Sequence, residues 1–201
     1  MKRKPGLFMV SLIMVVSLSL LAWGFWPPYR QTIILPLLPV DGMPSLPEKR
    51  MIHLTFSPVM RAGETQTFEM DLVTESETAD AGLYQEYNVI SEARLELPFA
   101  DVHPANLIST APVEGGDATF YWEVTPLGVS DLQGTIWLYL RLIRKADGKE
   151  TRKPVSAQLI KISSKSLLGW TGSEVRVAGS VGLLLGLSLG ILVLGASRGN
   201  S

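Results

Sequence analysis

The sequence predicts an antiparallel β-sandwich held between two transmembrane α-helices. Apolar and polar side chains alternate with period two in six or seven short runs over about 115 residues, and no clear amphipathic helix lies between them. Two uncharged apolar stretches, 7–26 and 177–196, flank this region. Each reaches the ~20 residues that a helix needs to cross a bilayer.

The first apolar stretch follows a basic stub, residues 1–6, which contains Lys2, Arg3 and Lys4. A cleaved signal peptide is the alternative, but it needs a shorter apolar core and small residues before the cleavage site. Here Trp23 and Trp26 occupy that position. The pattern therefore favours an uncleaved signal anchor at 7–26, and the positive-inside rule places residues 1–6 in the cytoplasm of a plasma membrane.

Residues 27–50 contain six prolines, which predicts an extended spacer, because proline fixes φ and lacks a backbone donor. The middle of the spacer is apolar, so we expect it to lie along the domain or the membrane surface rather than free in water. A recognition motif is the alternative. One specific hypothesis is that Ile33–Val40 runs up the outside of the domain and covers Trp137 and Tyr139.

The predicted ectodomain spans residues 51–163. Its alternating runs are 52–56, 65–73, 92–97, 119–124, 135–142 and 155–162, with a short run around Leu107. Residues 74–88 show no clean period and predict a loop or irregular edge. In the last run the apolar phase slips from Val155, Ala157 and Leu159 to Ile160, which predicts a β-bulge.

Asp131 and Gly134 precede Trp137 and Tyr139 on the penultimate run. This group resembles the Asp-x-Gly-x-Tyr corner of immunoglobulin-like domains, although its spacing departs from that pattern and the chain has no cysteine pair. The resemblance implies an immunoglobulin-like strand arrangement.

A juxtamembrane segment, 164–176, leads to the second predicted span, 177–196, and to a tail at 197–201. Gly182, Gly186 and Gly190 form a GxxxGxxxG row that Ala178 extends backward. Residues four apart share one helix face, so the row predicts close helix packing. Its partner is either the first span, through Ser11, Ser17 and Ser19, or another protomer in a homo-oligomer.

If the first span sets the orientation, the second span returns to the cytoplasm and both termini lie there. The β-domain then lies on the extracytoplasmic side. Lys161, Lys165 and Arg176 flank the second span on the outside, against the usual charge bias. A first anchor usually dominates, and Arg176 can extend its guanidinium to the headgroups.

The composition excludes several classes of function. With no cysteine, the chain has no disulfides, thiolate metal sites or cysteine nucleophile. A net charge of −1 gives no basic field for nucleic acid. No known catalytic motif occurs, so we predict a protein that is not an enzyme and has no cofactor.

Two weaker patterns leave an alternative open. The carboxylates Asp71, Glu75, Glu77 and Asp80 could gather a calcium ion, and His103 lies near Asp101 in a predicted loop. The alternative is therefore a cell-envelope enzyme, or a glycan- or metal-binding domain, that uses loop carboxylates.

Charge is segregated along the chain. Residues 41–131 contain 16 acidic and 4 basic residues, whereas residues 141–165 contain 8 basic and 2 acidic ones. The basic cluster and the outward aromatic residues beside it form the candidate partner surface: Arg141, Arg144, Lys145, Lys149, Arg152, Lys153, Trp137 and Tyr139. The sequence thus predicts a membrane-anchored interaction module or an accessory subunit of a membrane complex.

Overall fold

A computed structural model describes residues 5–37, 49–76, 82–111 and 116–198 of the chain. The chain divides into two compact units. The helical unit comprises Met1–Pro27 and Ser166–Ser201, and the β unit comprises Pro28–Lys165.

The described part of the β unit forms two sheets of five strands. The strands are β1 Gln31–Pro36, β2 Lys49–Phe56, β3 Val59–Arg61, β4 Gln66–Ser76, β5 Tyr87–Glu96, β6 Ala100–His103, β7 Ile108–Thr110, β8 Ala118–Pro126, β9 Asp131–Arg144 and β10 Glu150–Lys165. One sheet, here sheet A, has the order β1-β2-β4-β8-β6, and the other, sheet B, has the order β3-β10-β9-β5-β7.

The strand order identifies the class of sandwich. When β1 is set aside, β2-β4-β8-β6 and β10-β9-β5 follow the ABED and GFC orders of immunoglobulin-like domains. Strand β3 pairs in parallel with β10, and the other pairs are antiparallel. The predicted fold class is therefore confirmed.

The core lies between the inner faces of the two sheets. Phe68 and Trp122 are fully buried, and Phe120 stacks on Trp122 with ring centroids 6.3 Å apart. Leu138 and Ile162 approach from sheet B. Apolar residues alternate with polar ones on both sheets, so each strand contributes one side to this core. Trp122 is a core residue, as its position in the alternation predicts.

The hypothesis that the spacer covers Trp137 and Tyr139 is wrong for its described part. Strand β1 pairs with β2 at the edge of sheet A, whereas Trp137 and Tyr139 belong to sheet B. Ile33 and Leu35 pack partly against the core. The physical reason is that an apolar segment next to an unpaired strand satisfies its backbone groups and buries its side chains by joining the sheet.

Proline is compatible with β1 because the strand lies at an edge, where a missing donor breaks no ladder. Residues 38–48 of the predicted spacer lie outside the described residues, as do residues 77–81 of the predicted acidic loop. Within 74–88, β4 continues to Ser76 and a short helix, α2, spans Gly82–Glu86.

The β-bulge is present but lies earlier than the apolar phase suggests. The register of β10 on β9 shifts between Pro154 and Ser156. After this shift, Ile160 and Ile162 face the core, and Leu159 faces outward with 72% of its surface exposed. Ala157 and Leu159 were expected on the inner side, so this part of the prediction is wrong. The pattern alone cannot show where a one-residue slip occurs.

The described helical unit contains α1, Pro5–Phe25, and α3, Gly172–Arg198. Gly6–Phe25 and Gly172–Val193 are long and apolar enough to cross a membrane. Of the predicted cytoplasmic ends, residues 1–4 and 199–201 lie outside the described residues.

The start of α3 is fixed by a capping box, which lies within the predicted juxtamembrane segment. The Glu174 carboxylate accepts from the Thr171 backbone N–H at 2.8 Å, and the Thr171 hydroxyl accepts from the Glu174 N–H at 3.4 Å. This reciprocal pair satisfies two backbone donors at the helix start. The last part of the predicted juxtamembrane segment, from Gly172, is therefore helical.

Candidate functional site

The candidate site is the outer side of sheet B, here called the β9 face. Because successive strand residues point to opposite sides, Trp137, Tyr139 and Arg141 of β9 point away from the core while Leu138 and Leu140 point into it. The β9 face is composed of Glu92, Arg94, Glu96, Trp137, Tyr139, Arg141, Arg152, Ala157 and Leu159.

An aromatic pair occupies the centre of this face. Trp137 and Tyr139 stack with centroids 6.2 Å apart and an interplanar angle of 23°. The Trp137 indole N–H donates to Glu96 Oε2 at 3.1 Å, and Arg94 lies 3.3 Å from the other oxygen of the same carboxylate. These contacts hold the indole in one orientation, which lowers the entropy that a partner must remove on binding.

A buried carboxylate lies beside the aromatic pair. Glu92 is 1% exposed, and its two oxygens lie 2.6 Å from Arg152 Nε and 3.0 Å from Arg141 Nε. Ser109 donates its hydroxyl to the same carboxylate at 3.3 Å. A buried charge is tolerated only when paired, so Glu92 orders both guanidinium groups on the surface.

Two apolar side chains complete the face on the β10 side. Ala157 lies opposite Trp137 in the strand register, and Leu159 lies opposite Thr135. The face thus places an exposed leucine beside Trp, Tyr and Arg, and these last three are the residue types enriched in the hot spots of protein–protein interfaces. Chemically it can bind and position a protein surface.

The structure places the residues of the predicted partner surface in three locations. Trp137, Tyr139, Arg141 and Arg152 lie together on the β9 face. Lys153 lies opposite Leu140, on the other side of the sheet.

Arg144, Lys145 and Lys149 lie at the tip of the β9–β10 hairpin. The guanidinium of Arg144 lies 3.3 Å from the Asp147 carboxylate and 5.8 Å from the ring centroid of Tyr87. Lys145 donates its ammonium to the Tyr84 carbonyl at 2.6 Å. The Lys149 backbone N–H and the Arg144 charge lower the pKa of Asp147. The tip charges are therefore partly compensated within the β unit.

Sequence reasoning missed the carboxylates of the β9 face. Glu92 and Glu96 alternate outward on β5, which the period-two pattern shows. Their neighbours on β9 follow only from the strand pairing, in which Glu92 lies opposite Tyr139 and Arg94 opposite Trp137. Leu159 was missed because the bulge position was wrong.

The opposite outer side, on sheet A, is acidic. Glu69 and Asp71 of β4 point outward beside Tyr121 and Glu123 of β8. A hydrogen bond to Glu69 raises the pKa of Tyr121, with burial and the charges of Glu69 and Asp71 acting in the same direction. The two sides of the sandwich thus present different chemistry.

The glycine row of α3 faces α1 in the same chain. A side chain at Gly182 would collide with Ser17, one at Gly186 would lie 2.9 Å from Met14 Cγ, and one at Gly190 would lie 3.4 Å from Val10. Toward the start of α3, Gly179 also faces α1, since a side chain there would lie 2.8 Å from Leu21 Cγ.

Of the predicted serine partners, Ser17 lies in this contact, whereas Ser11 and Ser19 donate to the carbonyls of Leu7 and Val15 in their own helix. Because α1 occupies the row, the structure gives no support for homo-oligomerisation through it.

The residues of the alternative function are dispersed or lie outside the described part. Glu77 and Asp80 are not described, nor is the side chain of Glu75. Asp71 accepts from the Thr119 hydroxyl at 2.6 Å, and His103 contacts Asp101 at 3.2 Å, where both side chains are exposed. Among the described residues, no three histidines or carboxylates gather closely enough to hold a metal ion.

No protein-family model and no curated protein matches the sequence. Three solved structures are similar to the chain. One is a chain of the complex between Zinc 2-glycoprotein and Prolactin inducible protein from human seminal plasma, with 14% identity, a TM-score of 0.37, and 63% of this chain and 100% of that chain covered.

The second is SSP-19 of Caenorhabditis elegans, an MSP-domain protein like family member, with 13% identity, a TM-score of 0.30, and coverage of 54% and 92%. The third is PapD-like domain 7 of human CEP192, with 11% identity, a TM-score of 0.31, and coverage of 65% and 94%.

Proposed function

We propose that the chain is a membrane-anchored interaction module, or an accessory subunit of a membrane complex, that binds a protein partner through the β9 face. The observation that carries this proposal is the stacked Trp137–Tyr139 pair, fixed by Glu96 beside the ordered guanidinium groups of Arg141 and Arg152. Rigid aromatic and arginine side chains supply most of the binding energy in many interfaces.

The surroundings of the aromatic pair favour a protein partner over a small ligand. A pocket for a small molecule encloses most of the ligand's surface, whereas the β9 face is one side of a sheet with Leu159 protruding from it. An extended surface of this kind suits another protein surface.

The helical unit supports the anchoring part of the proposal. The guanidinium of Arg176, near the start of α3, donates to the Gly24 carbonyl, near the end of α1, at 3.0 Å, and Gly6 lies near Val193 at the other end. The two helices are therefore antiparallel. If both cross the bilayer, residues 1–4 and 199–201 are on one side and the β unit is on the other. The basic stub favours the extracytoplasmic side for the β unit.

Co-purification in mild detergent, repeated for each variant of the chain, tests the proposal. We expect a partner to be recovered with the wild-type chain and lost with Trp137→Ala or Leu159→Arg, since hot-spot truncations cost about 2 kcal/mol or more. Tyr121→Arg, on the outer side of sheet A, is the matched control and keeps the partner. Recovery of the same proteins with all variants would contradict a binding role for the β9 face.

A further inference from the structure

One end of the β unit carries both chain connections to the helices. Exposed apolar loop residues protrude from this end. Gln31, the first residue of β1, pairs with Phe56, the last residue of β2. Strand β3 follows β2 in the chain and pairs with the end of β10, with Val59 opposite Ser163. Both chain connections to the helical unit therefore leave from one end of the β unit, here called the exit end.

Three exposed side chains project from two neighbouring loops at the exit end. Phe99 is 77% exposed, Leu127 is 72% exposed and Val129 is 61% exposed. The loops are joined by a hydrogen bond from the Leu127 N–H to the Phe99 carbonyl at 3.0 Å. The described loop residues at the opposite end of the sandwich include no large apolar side chain that is comparably exposed.

Phe99 occupies this position with a strained backbone. Its φ is +63°, in the left-handed region that glycine and asparagine adopt far more readily than an aromatic residue. Strain of this kind persists where the surroundings require it and often marks a functional contact. A glycine would form the turn with less strain but would remove the protruding ring.

The connections to the helices are short. Five residues separate Phe25 from Gln31, and six separate Lys165 from Gly172. At up to ~3.6 Å per residue, these connections reach at most about 20–25 Å. If α1 and α3 span the bilayer, the exit end stays close to the headgroup layer, where Trp23, Trp26 and Trp170 provide the aromatic residues typical of a membrane interface.

We propose that Phe99, Leu127 and Val129 form a lipid-contacting rim that seats the exit end of the sandwich in the headgroup–acyl boundary of the bilayer. Moving the exposed apolar side chains of these paired loops from water into this layer lowers their free energy. The cationic side chains of Lys161 and Lys165 on β10 approach the same end and favour anionic headgroups. This inference rests on the proposed membrane anchoring and assigns it a second point of contact.

The chain has no native cysteine, so a single introduced cysteine gives one labelled site. The experiment uses the full chain in phosphatidylcholine–phosphatidylglycerol vesicles that contain lipids spin-labelled near the headgroup. A polarity-sensitive fluorophore is placed in turn at Leu127→Cys, at Ser180→Cys on an exposed side of α3, and at Ala146→Cys in the hairpin at the opposite end. Circular dichroism melting confirms that each labelled variant is folded.

The proposal predicts quenching and a blue-shifted emission at position 127 that approach those at position 180, with neither effect at position 146. Quenching at 180 without quenching at 127 would overturn the lipid rim and leave the membrane anchor intact. Absence of quenching at 180 as well would overturn the proposed anchoring itself. The same label is also placed at Val129→Cys. Quenching there as well assigns the effect to the rim, whereas quenching at position 127 alone would overturn the rim.

Discussion

At the scale of single residues, close backbone approaches and buried charges determine what the β unit tolerates. Gly134 of β9 lies against the end of β5, where an added methyl group would overlap the Glu96 carbonyl oxygen and lie 2.7 Å from Leu97 Cδ1 and 3.1 Å from its Cα. Two of these neighbours are backbone atoms, so relief requires the strands to move apart.

We therefore expect Gly134→Ala to lower the free energy of unfolding by about 1–3 kcal/mol, as overpacking of a closed site does. Gly128→Ala is the control, because nothing lies within 4 Å of the added carbon. Denaturant unfolding in detergent, followed by tryptophan fluorescence, compares the two variants. Equal stability of Gly134→Ala and wild type would mean that β5 and β9 are not packed in this register.

Glu92 allows a second comparison at this scale. In the variant Glu92→Gln, Arg141 and Arg152 lose their shared counter-charge, but both guanidinium groups are partly exposed and regain some hydration. We expect a loss of about 1–3 kcal/mol in the free energy of unfolding. Glu150→Gln removes an exposed carboxylate 3.5 Å from the same Arg141, and its cost is within about 0.5 kcal/mol. Similar losses in the free energy of unfolding for the two variants would contradict the burial of Glu92 between the two guanidinium groups.

Tyr121 gives a pH-dependent prediction. The hydrogen bond to Glu69 raises its folded-state pKa, so its contribution to stability is fully present below the unfolded pKa of about 10 and is lost as pH rises through the higher folded value. The ultraviolet titration curve of wild type minus that of Tyr121→Phe isolates this phenol. We expect its midpoint above pH ~10 and a lower midpoint in a Glu69→Gln background. A midpoint at or below pH ~10 would contradict the bond.

At the scale of elements, the α1–α3 pair depends on small residues at one face of α3. Contacts recur between Val10 and Gly190, Met14 and Gly186, and Ser17 and Gly182, which are the partners of an antiparallel hairpin. Membrane helices associate through close packing of this kind, because lipid provides no hydrophobic force between them.

Gly186→Leu should separate the helices, at a cost of about 1–2 kcal/mol. A cysteine pair at Gly6→Cys and Val193→Cys reports the hairpin, since an added carbon at Gly6 would lie 3.5 Å from a Val193 methyl carbon. We expect a lower intrachain crosslinking yield in Gly186→Leu and an unchanged yield in the control Ser188→Leu, whose position is exposed. Unchanged intrachain and interchain yields in Gly186→Leu would show that the row is incidental.

The elements also show how far the sequence could be interpreted. Period-two alternation located β2, β4, β5, β8, β9 and β10, because each buries one side in the core. Strands β3 and β6, of three and four residues, are too short for a period to appear. The prolines of β1 suit an extended linker and an edge strand equally well, so the sequence predicts a spacer where the structure has a strand.

The candidate site was predictable only in part, because alternation within one strand does not show which strands pair. Trp137 and Tyr139 stand out from their own strand, whereas Glu92 and Glu96 join them through pairing between strands distant in sequence. A one-residue error in the bulge also moved Leu159 to the wrong side of the sheet.

At the scale of the whole molecule, we propose a β-sandwich with a two-helix membrane anchor, whose β9 face binds a partner protein. The most direct test is site-specific photo-crosslinking of the full chain in its native membrane, with a benzophenone amino acid at Leu159 on the β9 face or at Tyr121 on sheet A. We expect a defined crosslinked species from position 159 that is absent from position 121. Crosslinking from position 121 alone, or the same products from both positions, would contradict it.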